Sequence, residues 1–185
     1  VSNWIFHVIA SPQGSFSKDR SLCVYDQPGP RPGFDVNESG DYLIIATPEI
    51  KASVSLITGA VAFTDKNDKI LLRESEKGGK SFSPVSVEGT DGFSFRQVFD
   101  SPDDEAFYGL GQHQSDEFNY KGLNESLYQY NTKVSVPFVV STRNYGILWD
   151  DERGREFLEQ YLHLLAFDHA RRWPIVFARA ADYAN

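Results

Sequence analysis

The stretch Phe107–Asp151, FYGLGQHQSDEFNYKGLNESLYQYNTKVSVPFVVSTRNYGILWDD, has two strand-like ends and a middle crowded with amides and aromatics. VPFVVS and YGILW are short β-branched and aromatic runs, and the RNYG break between them supplies a hairpin turn. The glycines of YGLGQ invite comparison with a phosphate loop. The third glycine and following helix of a dinucleotide site are absent, as are the lysine and hydroxyl of a P-loop. Gly109 and Gly111 are therefore assigned to backbone conformation or close strand approach.

The same period-two pattern continues upstream. Val54, Leu56 and Ile57 lead into Thr58–Gly59, Val61 and Phe63 lead into Asp65–Asp68, and Ile70–Leu72 follow, so turns recur about every ten residues. Further strands are predicted at Trp4–Ala10, Tyr42–Thr47, Phe93–Phe99, Val134–Ser141 and Tyr145–Trp149. Pro28–Gly33 reads as a loop because its prolines cannot donate ladder hydrogen bonds, and Gly78–Gly79 reads as an exposed turn. The fold class is all-β, an antiparallel meander packed as two sheets.

Past Asp151 the period changes. Phe157, Leu158, Tyr161, Leu162, Leu164, Leu165 and Phe167 recur at spacings of three and four, as in a short amphipathic helix bracketed by Gly154 and Pro174. Residues 1–151 are read as the sandwich domain and 152–185 as a helix-like tail. A lineage-specific helix, a junction to an inserted domain and non-native sequence all fit that tail.

Composition narrows the chemistry. The chain has 185 residues, 14% of them aromatic, with 18 basic against 26 acidic side chains and a net charge of −8. The absence of any basic run argues against a nucleic-acid partner. Cys23 is the one cysteine, so neither an internal disulfide nor a thiolate zinc site is implied, and cysteine usage leaves the compartment open. No apolar run approaches the roughly 20 residues of a membrane span, and the first residues lack a secretory leader pattern. The chain contains no methionine, as expected of a piece excised from a longer protein.

Acidic neighbours occur at Asp103–Asp104, Asp116–Glu117 and Asp150–Asp151. Adjacent residues point to opposite faces of a strand or sit solvated in turns, so no catalytic carboxyl pair is assigned. His113 has no nucleophile and orienting acid around it, and a histidine hydrogen-bonded within the sandwich is the expected role. His7, His163 and His169 are scattered, and the six-residue spacing of the last two suits no metal pair on a helix. The middle segment alternates Gln112, Gln114, Phe118, Asn119, Tyr120, Asn124, Tyr128, Gln129, Tyr130 and Asn131. Residue types alone favour aromatics filling the core and amides satisfying loop backbone. The other use of such a set is sugar binding, with amides on hydroxyls and rings on C–H faces.

FYGLGQHQ at Phe107–Gln114 and VPFVVSTRNYGILWD at Val136–Asp150 resemble, in order and separation, the end of the N-terminal β-sandwich of glycoside hydrolase family 31, the α-glucosidase and α-xylosidase family. TPEIKASVSLITGAVAFTDKNDKILLRE, Thr47–Glu74, matches more loosely. The resemblance implies a galactose mutarotase-like supersandwich that packs on a (β/α)8 catalytic barrel within the same polypeptide. It also implies an α-linked xyloside or glucoside as the carbohydrate substrate, and no cofactor or metal. In that family the two catalytic aspartates of the retaining reaction lie at barrel strand ends, so the fragment is expected to be inactive. The loop of about Asn119–Asn131 would reach the barrel mouth, with Asn124 and Glu125 nearest the substrate-contacting position. NYKG, YNTKV and STRNYGILWD look more like bacterial α-xylosidases than maltases. The alternative from a different class is an independent carbohydrate-binding or structural sandwich module.

Overall fold

Alternating side chains bury one face of a strand and wet the other, and short polar turns reverse the chain between strands. A computed structural model of the chain describes residues 2–14, 16, 32–76, 79–87, 89–114, 116–127, 129–149, 165–166 and 172–179. The first strands form a meander: β1 (Asp35–Ser39), β2 (Tyr42–Ala46), β3 (Ile50–Ser55), β4 (Val61–Asp65) and β5 (Ile70–Glu74). Each pairs antiparallel with the next. The β4–β5 turn is built by Asp65, whose Oδ1 accepts from the Asn67 and Lys69 amides at 2.8 and 2.9 Å.

The long strand β7 (Thr90–Asp100) organises the larger sheet. Its end pairs with β5 through Arg73 and Glu74, and the rest pairs with β6 (Lys80–Val87). Both neighbours thus lie along one side of β7. The opposite side takes β13 (Arg172–Arg179), with β12 (Leu165–Ala166) and β9 (Asn124–Glu125) beyond it, completing a ten-stranded sheet. The second sheet has three strands in the order β11 (Tyr145–Leu148), β10 (Val134–Ser141), β8 (Phe107–Gln112).

The core lies between the sheets: Leu72 and Phe99 from the larger one meet Phe107, Leu110 and Val139 from the smaller, together with Tyr120 and Leu127 from the β8–β10 connection. Two buried carboxylates reinforce it. Glu74 accepts from the Val61 amide at 2.9 Å and from Lys80 and Gln97, fastening β4, β5, β6 and β7 together. Glu105 accepts from Ser101 Oγ at 3.0 Å, from Tyr145 Oη at 2.6 Å and from Ser141 Oγ. Both oxygens of each buried carboxylate therefore have at least one donor.

The all-β reading and most predicted strands hold, and four expectations are corrected. Trp4–Ala10 is not a strand: Ile5 makes a local bridge to Ser2, and Trp4, Ile5, Val8 and Ile9 are exposed. Among the described residues no strand pairs with the segment. Leu56 and Ile57 lie past the end of β3 in an exposed turn. Gly79 is buried: a Cβ there would lie 2.8 Å from Glu74 Cβ, and its carbonyl accepts from Val98 N at 2.7 Å, while Gly78 lies outside the described residues. Among the described residues no helix occurs, and Leu165–Ala166, inside the expected helical run, is a strand. A strand edge that offers partners overrides a weak 3.6-residue period. Residues 151–164, Cys23, Tyr128, His163, His169 and most of Pro28–Gly33 lie outside the described residues.

Candidate functional site

The connection from β8 to β10 starts at a distorted strand end. Gly109, Leu110 and Gly111 all have positive φ, at 116°, 62° and 103°. A Cβ on Gly111 would lie 2.0 Å from the Val134 carbonyl oxygen, and one on Gly109 would lie 2.5 Å from that of Phe138. The glycines thus let β8 approach β10 closely, as their sequence context suggested, while the β8–β10 register shifts between Ser135 and Val139. This bulge turns Leu110 inward, where only 1% of it is exposed.

The connection then folds back on β8. Asn119 Oδ1 accepts from the Phe107 and Lys121 amides, each at 3.0 Å, and Tyr120 N donates to Phe107 O at 2.9 Å. These bonds imitate a neighbouring strand and cover the β8 edge. Tyr120 and Leu127 enter the core. Core filling and backbone satisfaction, the roles residue types favoured, therefore account for Asn119 and Tyr120. They do not account for Phe118, which is 85% exposed, nor for the exposed Gln112, Gln114, Asn124, Gln129, Tyr130 and Asn131.

Beneath these side chains lies a cluster of charged groups. His113, just past β8, has Nε2 2.6 Å from Leu110 O. A carbonyl can only accept, so Nε2 carries hydrogen, and the histidine plays the internal hydrogen-bonding role expected of it. Its Nδ1 lies 3.3 Å from Glu125 Oε1, within ion-pair range, although the atoms are not aligned as a hydrogen bond. The same Glu125 oxygen accepts from Lys133, whose ammonium also donates to Ser126 O at 2.5 Å. The His113 ring meets Tyr120 edge-on at a centroid distance of 6.1 Å. Burial first, and the Glu125 charge second, push the Tyr120 hydroxyl above its ordinary pKa.

The two residues singled out for substrate contact are neighbours in β9 with different surroundings: Asn124 is exposed, and Glu125 is held by Lys133 and His113. Sequence reasoning missed Lys133 as the partner of Glu125, and it missed Glu74 and Glu105 as buried carboxylates. A lysine just before an apolar strand gave no signal that its amine is covered. Asp103, Asp104, Asp116 and Glu117 are solvated as expected, with Asp104 paired to Arg143 at 3.1 Å. Asp150 and Asp151 lie outside the described residues. Glu74, Glu105 and Glu125 are each taken up by their own donors, and among the described residues no group of three His, Cys, Asp or Glu could hold a metal.

A two-sheet all-β scaffold carrying a polar and aromatic loop on a charged base is the class these observations define. Comparison with known proteins identifies the family: residues 1–153 match the glycosyl hydrolase 31 N-terminal galactose mutarotase-like domain, and the chain belongs to it. It is 41% identical, over 32% of its length, to an α-xylosidase of Saccharolobus solfataricus, of which it covers 9%. It is 29% identical, over 63% of its length, to an uncharacterized family 31 glucosidase of Pseudescherichia vulneris, of which it covers 26%. The crystal structure of the family 31 α-xylosidase from Xanthomonas citri superimposes with a TM-score of 0.71 at 46% identity, covering 76% of this chain and 15% of that one. The chain thus spans between 9% and 26% of these glycoside hydrolases, at their N-terminal domain.

Proposed function

We propose that this chain is the accessory domain of a retaining family 31 α-glycosidase acting on α-linked xylosides or glucosides. It packs on a (β/α)8 catalytic barrel and lends the β8–β10 loop to the substrate pocket, with Asn124 and Glu125 at the pocket edge. The observation that carries this reading is the division of labour within the loop. Tyr120 and Leu127 are rooted in the core, while Phe118, Asn124, Gln129 and Asn131 are left in solvent with the side chains that bind sugars. The likeness to α-xylosidases of two organisms supports the substrate class.

Residues 1–151 constitute the accessory sandwich and 152–185 the tail, of which the described Leu165–Ala166 and Arg172–Arg179 add strands to the larger sheet. The catalytic aspartates belong to the barrel, so the isolated chain does not turn over glycosides. Sequencing the gene downstream tests this: a barrel with two strand-end aspartates is expected, and an unrelated module would overturn the proposal. The purified chain is expected to release no product from aryl α-xylosides or α-glucosides, whereas the longer polypeptide hydrolyses one of them.

A further inference from the structure

The loop proposed to reach the sugar is gathered by a single half-buried carboxylate. His113 stands at the exit of β8, Lys133 at the entrance of β10, and Glu125 in β9 between them. Lys133 and His113 both approach the same Glu125 oxygen, and their side chains are only 9% and 3% exposed. The ring is held from its far side by Nε2–H to Leu110 O, at the residue that the two positive-φ glycines flank. Lys133 also donates to Ser126 O, so the chain directly after Glu125 is tied to the same ammonium. Asn124, the exposed neighbour of Glu125, projects from a backbone whose position these contacts set.

We infer that His113, Glu125 and Lys133 form a clamp whose work is positioning: it fixes the β9 segment so that Asn124 and the exposed amides and rings meet the sugar in one arrangement. This rests on the proposed function and assigns Glu125 a role acting through the loop, since its Oε1 takes the Lys133 ammonium and faces His113 Nδ1. The Lys133–Glu125 contact is a charge-assisted hydrogen bond, the strong and directional kind, and a binding constellation displaced by about 1 Å can lose up to 100-fold in rate. Tyr120 is a further ionisable group that faces the clamp, its ring edge meeting His113.

The test uses the full-length polypeptide that contains this domain, with an aryl α-xyloside and an aryl α-glucoside as probes. Glu125→Gln, Lys133→Met and His113→Gln are compared with wild type. The last retains a donor near Leu110 O while removing the nitrogen that faces Glu125. All three are expected to raise KM roughly tenfold with kcat within about twofold, the pattern of lost ground-state and transition-state binding alike. Lys133→Arg is expected to restore KM to within about threefold, and circular dichroism identifies which variants fold. If Lys133→Met does not fold, the other two carry the comparison. Wild-type KM in folded Glu125→Gln protein would overturn the clamp and leave the domain's place in a glycosidase standing. A rise confined to Glu125→Gln would make that residue a direct sugar contact and likewise overturn it. A wild-type protein that hydrolyses neither probe would instead overturn the functional reading itself.

Discussion

Single positions carry much of the constraint on this domain. Gly111 combines a φ of 103° with a carbonyl oxygen where its Cβ would stand, so Gly111→Ala must strain the backbone and separate β8 from β10. A loss of at least about 2 kcal/mol is expected in urea unfolding. Tyr145 donates to the buried Glu105 at 2.6 Å. Burial, with that hydrogen bond second, holds the phenol well above its ordinary pKa. A group whose folded pKa is raised contributes its stability below the unfolded pKa, about 10 for tyrosine, and loses it as pH climbs toward the folded value. Stability should therefore fall from about pH 10 upward. Tyr145→Phe should flatten that decline and cost about 1–2 kcal/mol at neutral pH, because Glu105 loses one of its donors. Urea melts at pH 7 and above pH 10 measure both effects.

Among the elements, β10 shows how far alternation can be read. Its predicted bounds, Val134–Ser141, match the structure. Val139 is 4% exposed in the core, whereas Val140 beside it is 40% exposed on the outer face. Val139→Ala should cost about 2 kcal/mol in unfolding free energy, and Val140→Thr should stay within about 0.5 kcal/mol. The bulge opposite Leu110 was legible only as a glycine signal, since the pairing shift depends on which strand lies across from it. The loop was half legible. Its amide and aromatic content marked it as special, but the sorting of Tyr120 inward and Phe118 outward depends on the hydrogen bonds that Asn119 and Tyr120 make to Phe107.

At the scale of the whole molecule, the smaller sheet leaves an apolar outer face. Val134, Val136, Phe138 and Val140 of β10 are 40–47% exposed, and Tyr108 and Leu148 on the flanking strands are 42% exposed. Val140 pairs directly with Tyr108 and Phe138 with Leu148, so these side chains form one strip. A strip of this kind is what a domain that packs against another would present. The isolated chain is expected to self-associate through it and to bind a hydrophobic dye. Val136→Lys with Val140→Lys should reduce both, as read by light scattering and dye fluorescence, with little change in unfolding free energy.

The amino-acid sequence by itself determined that the chain is made of antiparallel strands, where most of them begin and end, and which family it resembles. Period, turn chemistry and motif order are local properties written in consecutive residues. The tertiary structure decided which polar groups are covered. Glu74, Glu105, Glu125 and Lys133 look like ordinary surface charges along the chain, and only the packing of distant strands removes water from them and brings their partners within reach. Glu125 shows the difference most plainly, because Lys133 and His113 approach it from the two ends of a loop whose path no local pattern specifies.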